Sequence, residues 1–373
     1  METMKAWTHT SAGLPSNVLK QSSVPKPTIT SKTQVLIKIS HCALNPAGSI
    51  VMQLFPFIFR ASPAVPEMDF SGTIVEAGSD VPGVRDLKLG TKVFGSIPLG
   101  QHVKSTCGAL ADYVAVDHTA IALKADHAIM SEVAGLGIAG ATALELIKAA
   151  NLTKGGSVLV NGAGGGIGHL VVQMCLEKIG ASGKVVAICS KRSSDWIRSL
   201  APMRDHEGDH TNIPSTHGSR LQIIDREEEP LIPSLVKSFS DTRFDAIIDA
   251  VGIQDIFMNS PAFLAEGKPY VTVGPKAYNY TYLSMLATIG TMAKNMCWPR
   301  TFGGTPRPYV QVAAASNLEA LEELAGMVKI EKLKARAGIV VGWDDVPSAY
   351  THLLSGHAGG KIIVEVDGTC NES

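Results

Sequence analysis

Charge of either sign is scarce in this 373-residue sequence: charged residues make up 18% of it, and 33 Lys and Arg face 34 Asp and Glu for a net charge of −1. A chain so near neutrality has no global field to draw nucleic acid or an anionic membrane, and neither is expected as a partner. Cysteine is sparse too. Cys42, Cys107, Cys175, Cys189, Cys297 and Cys370 form no CxxC and no zinc-ribbon spacing. Several lie in apolar runs, where free cysteine behaves as a small hydrophobe, and a reducing compartment is expected. No apolar run approaches the roughly 20 residues of a membrane span. The opening METMKAWTHTSAG lacks an apolar signal core and an arginine-rich presequence, and the ending GTCNES is not a prenylation box. A cytoplasmic protein is expected.

What is present suits two domains. Apolar residues are 45% of the chain, enough to bury a sizeable core over this length. The 36 Gly and 20 Pro are dispersed without a repeat, which excludes collagen-like and low-complexity classes. The first third reads as short strands and turns. QVLIKISHCAL alternates as a half-buried strand should, and FSGTIVEAGSDV, TKVFGS and ALADYVAV follow, a partly open all-β pattern. Near residue 125 the pattern changes. MSEVAGLGIAGATALELIKAANL is rich in helix formers. Beyond it the strands SVLVN, KVVAICS, FDAIIDAVG and KPYVTVG alternate with helical stretches, which implies a parallel sheet with right-handed crossovers. NLEALEELAGMVKI is a late amphipathic helix. Residues 203–220 are polar and read as a surface insertion; His206, His210 and His217 within it offer metal-binding nitrogens, but at no recognisable ligand spacing.

The strongest motif is SVLVNGAGGGIGHLVVQMC. A strand meets a glycine-rich turn, Gly162, Gly165, Gly166, Ile167 and Gly168, and then a helix. The three-residue spacing of Gly162, Gly165 and Gly168 permits a tight turn, close approach of a pyrophosphate, and close helix–strand packing. The phosphates would rest on free N–H groups at the positive end of the helix dipole. A strand before and a helix after are the context this motif needs. An NAD-preferring site carries Asp or Glu at the end of the next strand. Here stand Ser190, Lys191 and Arg192, a hydroxyl and two cations suited to a 2′-phosphate, so NADPH is the expected cofactor.

These segments resemble the medium-chain dehydrogenase/reductase superfamily over nearly the whole chain. CALNPAGS resembles its strand-end A-x-N-P motif, PEMDFSGTIVEAGSDV its P-G-x-D-x-S-G segment, and AGLGIAGATALELI the helix ahead of its dinucleotide fold. NGAGGGIG resembles its glycine turn, and LLSGHAGGKIIVEV the ending of quinone oxidoreductases. The resemblance implies an α/β fold: a Rossmann doubly wound parallel sheet (126–333) plus a GroES-like, mostly β catalytic domain (1–125 and 334–373). It also implies a nicotinamide held between them and a homodimer. Zinc members place Cys and His where this chain has Asn45 and Pro46, and His-Glu where it has Met68 and Asp69. A catalytic zinc therefore has no ligands, and no metal is expected. Two positions depart from the pattern: Gly48 stands where relatives have Asp, and Glu67 where they have Gly.

Zinc-free relatives reduce electron-poor conjugated systems: quinones, enones, 2-alkenals and enoyl thioesters. The resemblance implies hydride delivery to the β-carbon of such an acceptor and protonation of the resulting anion, with the hard chemistry carried by the cofactor. Asn45 is the first candidate beside substrate and nicotinamide. Thr142 would reach the carboxamide, Val251, Gly252, Val273 and Gly274 would line the nicotinamide half, and Lys361 would face cofactor or substrate unless it is a solvated strand-start lysine. Met285, Met292, Met296 and Trp298 would shape an apolar pocket, against the plainer reading of core or interface. No Tyr lies in 48–60 to serve as proton donor. Three functions remain open: a quinone or enone reductase, an enoyl reductase serving a partner synthase, and a non-redox protein on a retained fold. For the second, Lys294, Arg300 and Arg307 are too few to form a basic patch for an acidic carrier.

Overall fold

The structure is a computed structural model that describes residues 2–368 except 202–219, 278, 314 and 357. The three histidines of the polar insertion, His206, His210 and His217, lie outside the described residues. The chain divides into two compact units, one of Met1–Thr142, Tyr278–Met285 and Ala314–Ser373, the other of Ala143–Ala277 and Leu286–Ala313.

The first unit is built on one long strand, Gln34–Leu44. On one edge it pairs antiparallel with Asp69–Ala77; Tyr113–Asp117 pairs with its beginning and Lys361–Glu365 with its end. The C-terminal strand thus belongs to the sheet of the N-terminal region. The half-buried alternation expected for this strand does not hold: only Gln34 and Lys38 are half-buried, while Val35 to Ile37 and Ile39 to Leu44 are buried. Val35, Ile37, Ile39, Cys42 and Leu44 enter the main core. Ala43 points the other way and packs with Ala134 and Ile363, so the second face is covered as well.

The run of helix formers after residue 129 is two helices, Met130–Val133 and Gly137–Ala150. The resemblance assigns residues 126–142, 278–285 and 314–333 to the cofactor domain, whereas they group with the first unit. Packing explains the difference. Ser71 donates its hydroxyl to Met130 O at 2.8 Å, and His127 Nε2 lies 3.1 Å from Val328 O. Leu324, on the helix Leu318–Lys329, sits against Gly140 so closely that a Cβ there would meet it at 2.5 Å.

The second unit carries one parallel sheet of six strands: Ser157–Asn161, Lys184–Cys189, Leu221–Asp225, Ala246–Asp249, Tyr270–Thr272 and Tyr309–Gln311. Their spatial order is third, second, first, fourth, fifth, sixth. This is the doubly wound order in which the chain reverses direction beside its first strand, and the turn after that strand opens at the switch point. The helix Gly168–Ile179 follows it, with ten residues buried. Leu159, Val186, Ile188, Ile247, Phe257 and Phe263 fill the core on one side of the sheet.

Ile247 is fully buried in the fourth strand. Ile247→Ala should lower the unfolding free energy by about 2–5 kcal/mol, because it removes transfer energy and leaves a cavity. Urea titration followed by circular dichroism checks this; a loss below about 1 kcal/mol would contradict the central packing assigned to it.

Candidate active site

The glycine turn of the second unit is shaped by contact. Gly162 has φ 76°, and a Cβ there would run into a Val251 methyl. A Cβ on Gly168 would overlap the Gly162 carbonyl oxygen, so the helix can begin against the strand only with glycine at both places. Gly165 N–H donates to Gly162 O at 2.9 Å, and the helix ladder begins with His169, Leu170 and Val171 donating to Gly165 and Ile167. Among the described residues the N–H groups of Gly166, Ile167 and Gly168 have no carbonyl partner. Three open donors at the start of a 12-residue helix are what a pyrophosphate requires.

The next strand, Lys184–Cys189, pairs with the strand that opens into this turn. Ser190 is half-buried at the start of the helix Lys191–Ser199, while Lys191 and Arg192 are exposed. Ser193 is buried, and its hydroxyl occupies the space a Cβ on Gly164 would need. Arg226, directly after the third strand, donates its backbone N–H to Cys189 O at 3.0 Å. Sequence reasoning misses both Ser193 and Arg226; a cation immediately after the strand LQIID is the signal for the second.

Asp249 is missed as well, although it organises the other wall. It is fully buried. Its Oδ1 accepts from Asn161 Nδ2 at 2.7 Å and from the N–H groups of Val251 and Gly252 at 2.9 Å. Its Oδ2 accepts from Ile253 N–H at 2.7 Å and from the Tyr270 hydroxyl at 2.5 Å. One carboxylate therefore ties the first, fourth and fifth strands to the turn at Gly252, whose φ is 88°. Lys276 N–H donates to Gly252 O, and Val273 N–H to Asp249 O, so the turns carrying Val251, Gly252, Val273 and Gly274 come together.

In the first unit the structure joins two of the predicted residues directly. Asn45 directly follows the long strand and occupies the N-cap position of the helix Pro46–Leu54 without a side-chain cap bond; Pro46 starts that helix with its preset φ. Lys361 begins the strand Lys361–Glu365; it is only 7% exposed, so it is not a solvated lysine. Its Nζ donates to Asn45 Oδ1 at 2.6 Å and to Leu44 O at 3.1 Å, with Asp69 Oδ2 at 3.7 Å. Asn45 Nδ2 donates to Asp69 Oδ2 at 3.0 Å. The amide thus bridges ammonium and carboxylate, its oxygen to the donor and its nitrogen to the acceptor. Asp69 also receives Ile138 N–H at 3.1 Å, which starts the helix Gly137–Ala150. Thr142 lies one turn along, its hydroxyl spent on Ile138 O at 2.7 Å. Burial pushes Asp69 up and Lys361 down, and each is opposed first by the charge of the other.

The residues fit the two groups the fold suggests unequally. The glycine turn fits a dinucleotide. The positions of a catalytic zinc do not fit a cation, since Asn45 and Asp69 already hold the Lys361 ammonium. Among the described residues no three His, Cys, Asp or Glu side chains cluster as a metal site, and no helix is long and apolar enough to cross a membrane. Met285 and Met292 are half-buried, whereas Met296 and Trp298 are exposed. Arg307 is buried, its guanidinium donating to Leu264, Pro261 and Pro306 carbonyls, so it presents no surface charge.

A nucleotide turn at the switch point of such a sheet, in one chain with a mostly β GroES-like unit, defines an oxidoreductase that uses a nicotinamide dinucleotide. Residues 31–126 match the family described as alcohol dehydrogenase GroES-like domain, and residues 221–364 the one described as zinc-binding dehydrogenase. The chain is 30% identical to the trans-enoyl reductase pgmF of Aspergillus terreus, covering 98% of this chain and 97% of that protein. It is 27% identical to the NADPH-dependent alkenal/one oxidoreductase of Arabidopsis thaliana, covering 97% and 79%. The solved quinone oxidoreductase of Coxiella burnetii superposes with a TM-score of 0.73 at 26% identity, covering 98% and 100%. The chain belongs to the medium-chain dehydrogenase/reductase family, in its quinone-oxidoreductase and enoyl-reductase branch.

Asp249→Asn should keep the shape and break the network, because an amide nitrogen would face N–H donors. A cost of about 1–3 kcal/mol per buried group left unpaired is expected, with weaker dinucleotide binding. Thermal unfolding and a binding titration check this; unchanged values in both would remove Asp249 from the site.

Proposed function

We propose that the protein is an NADPH-dependent reductase of electron-poor conjugated acceptors, quinones, enones or 2-alkenals, acting without zinc. The observation that carries this reading is that the strand leading into Ser190, Lys191 and Arg192 is the neighbour of the strand that opens into the unbonded N–H groups of Gly166–Gly168. A hydroxyl and two exposed cations follow the strand next to the glycine turn, Ser193 of the same helix packs against Gly164, Arg226 follows the third strand, and no acid stands at Ser190 to prefer a free ribose. The name of the Arabidopsis relative agrees with it.

In this reading Gly162, Gly165, Gly166, Ile167 and Gly168 hold the pyrophosphate, and Ser190, Lys191, Arg192 and Arg226 the 2′-phosphate. Val251, Gly252, Val273 and Gly274 line the nicotinamide half, and Thr142 lies by its carboxamide. When bound, the reduced cofactor supplies a hydride to the electron-poor carbon of the acceptor. Asn45 and Lys361 orient acceptor and nicotinamide ribose, with the Lys361 amine where negative charge develops. Lys361 holds a proton at Nζ, which makes it the donor candidate the 48–60 segment lacks. A cytoplasmic homodimer, formed through the edge strand Tyr309–Gln311, completes the reading.

The likeness to pgmF over nearly the full length favours a second reading, reduction of an enoyl thioester presented by a partner synthase. Turnover with a carrier-bound thioester but not with a free crotonyl thioester would select it.

Lys191→Ala/Arg192→Ala should raise KM for NADPH by about 10- to 100-fold, the loss of one or two charge-assisted hydrogen bonds, and leave NADH unaffected. NADPH oxidation against a benzoquinone, a naphthoquinone, a 2-alkenal, a cyclic enone and a crotonyl thioester is the assay. Equal effects on both cofactors would sink the 2′-phosphate assignment. Binding of NADPH without turnover of any acceptor, carrier-bound thioester included, would sink the reductase reading and favour a non-redox role.

A further inference from the structure

Glu67 is fully buried and has φ 66°, a left-handed conformation that costs a non-glycine residue about 1–2 kcal/mol. Its side chain shows what that conformation achieves. Oε2 accepts the backbone N–H of Asn45 at 3.0 Å, and Oε1 accepts the Tyr350 hydroxyl at 2.8 Å. Asn45 is the N-cap of the helix Pro46–Leu54, so Gly48 is its third helical residue. An acid at that third position ordinarily reaches back to the N-cap N–H. Here the third position has no side chain, and the carboxylate arrives from another segment. The two features require each other: a Cβ on Gly48 would lie 2.5 Å from both Glu67 oxygens. They are also the two positions at which the sequence leaves its family pattern.

We propose that Gly48 and Glu67 form one exchanged unit, in which Glu67 caps the helix Pro46–Leu54 from outside it and acts as a positioning residue for the Asn45–Lys361 bridge. The capped N–H belongs to the same residue whose side chain holds Lys361 at 2.6 Å and Asp69 at 3.0 Å. Glu67 therefore acts on the bridge through Asn45. The groups that face it are Tyr350, Lys361, Asp69, Cys42 and Arg60. Burial pushes the Glu67 carboxyl up to about 7, against the opposing pull of Tyr350, the Asn45 N–H and Lys361. Below that pH Glu67 is neutral; above it the cluster gains a negative charge, and the acceptor for the Asn45 N–H becomes a full carboxylate. A folded-state value above the ordinary one makes stability greatest below about 4.5 and lets it fall as pH rises through about 7.

The positioning role rests on the reading of Asn45 and Lys361 as site residues; the exchanged unit does not. The test uses the full chain as wild type, Gly48→Asp, Glu67→Gly, the double variant Gly48→Asp/Glu67→Gly, and Glu67→Gln. Urea unfolding from pH 5 to 8.5 is measured alongside kcat and KM for NADPH oxidation with the responding acceptor. Each exchange variant alone should lower the urea midpoint: Gly48→Asp would drive a new side chain into the Glu67 carboxylate, and Glu67→Gly would strand the Asn45 N–H and the Tyr350 hydroxyl. The double variant should recover at least half of the summed loss. Relative to Glu67→Gln, the wild-type unfolding constant should rise by up to about tenfold per pH unit between 5 and 7; the opposite slope from His9 and His102, which burial lowers to about 4, is common to both proteins and cancels in the comparison. Glu67→Gln should also remove a break near pH 7 in kcat while changing KM for NADPH less than about twofold. Additive losses in the double variant, or an unchanged stability slope in Glu67→Gln, overturn the exchanged unit. An unchanged kcat profile in Glu67→Gln overturns the positioning role. Absence of turnover in the wild type with every acceptor overturns the reductase reading and the positioning role with it, while the unfolding cycle still decides the exchange.

Discussion

A buried ammonium held between an amide and a carboxylate is the contact on which the first unit depends. Lys361 starts the last strand, Asn45 directly follows the central one, and Asp69 starts its neighbour, so one bridge fixes one end of each of three strands. Asp69 extends it to a fourth element by capping the helix that begins at Gly137. Such a bridge is a poor source of net stability, because removing both charges from water costs several kcal/mol per ion before their attraction returns anything. Its value is in registration. Each charge tolerates burial only where the other, and Asn45 between them, stand at hydrogen-bond distance.

The second unit uses the same device without a cation. Asp249 is as deeply buried as Asp69, and it is satisfied by three backbone N–H groups, an amide and a phenol. Both carboxylates lie at the edge of a strand and receive the free N–H groups of the segment that follows or packs there. Backbone donors at strand ends and helix starts have no partner within their own element. A short acid placed among them satisfies several at once and holds the turn rigid. The turns so held carry the residues assigned to the cofactor and acceptor, which is the support a reactive site needs.

Much of this is legible in the linear sequence because it is local. The strand SVLVN, the glycine turn and the following helix occur as read, since an apolar strand, a tight turn and an apolar helical stripe each involve neighbours in the chain. Ser190, Lys191 and Arg192 are legible for the same reason, as residues directly after a strand. Asn45 is found from a motif, yet its bonds are not, because its partners lie 24 and 316 residues away. Asp249 gives no signal beyond an acid at the end of an apolar run. Glu67 and Gly48 show only as two separate departures from a pattern, in segments that only the fold brings together.

The sequence by itself determined the alternation of elements and the nucleotide turn, both of which follow from residue type and short spacing. Only the tertiary structure decided that Lys361 is buried rather than solvated. It alone decided that the run from 126 to 142 packs with the β unit, and that the gap at Gly48 is filled by the carboxylate of Glu67. Each of these depends on which distant backbone groups lack partners and on where space is left, and those are properties of the packed chain.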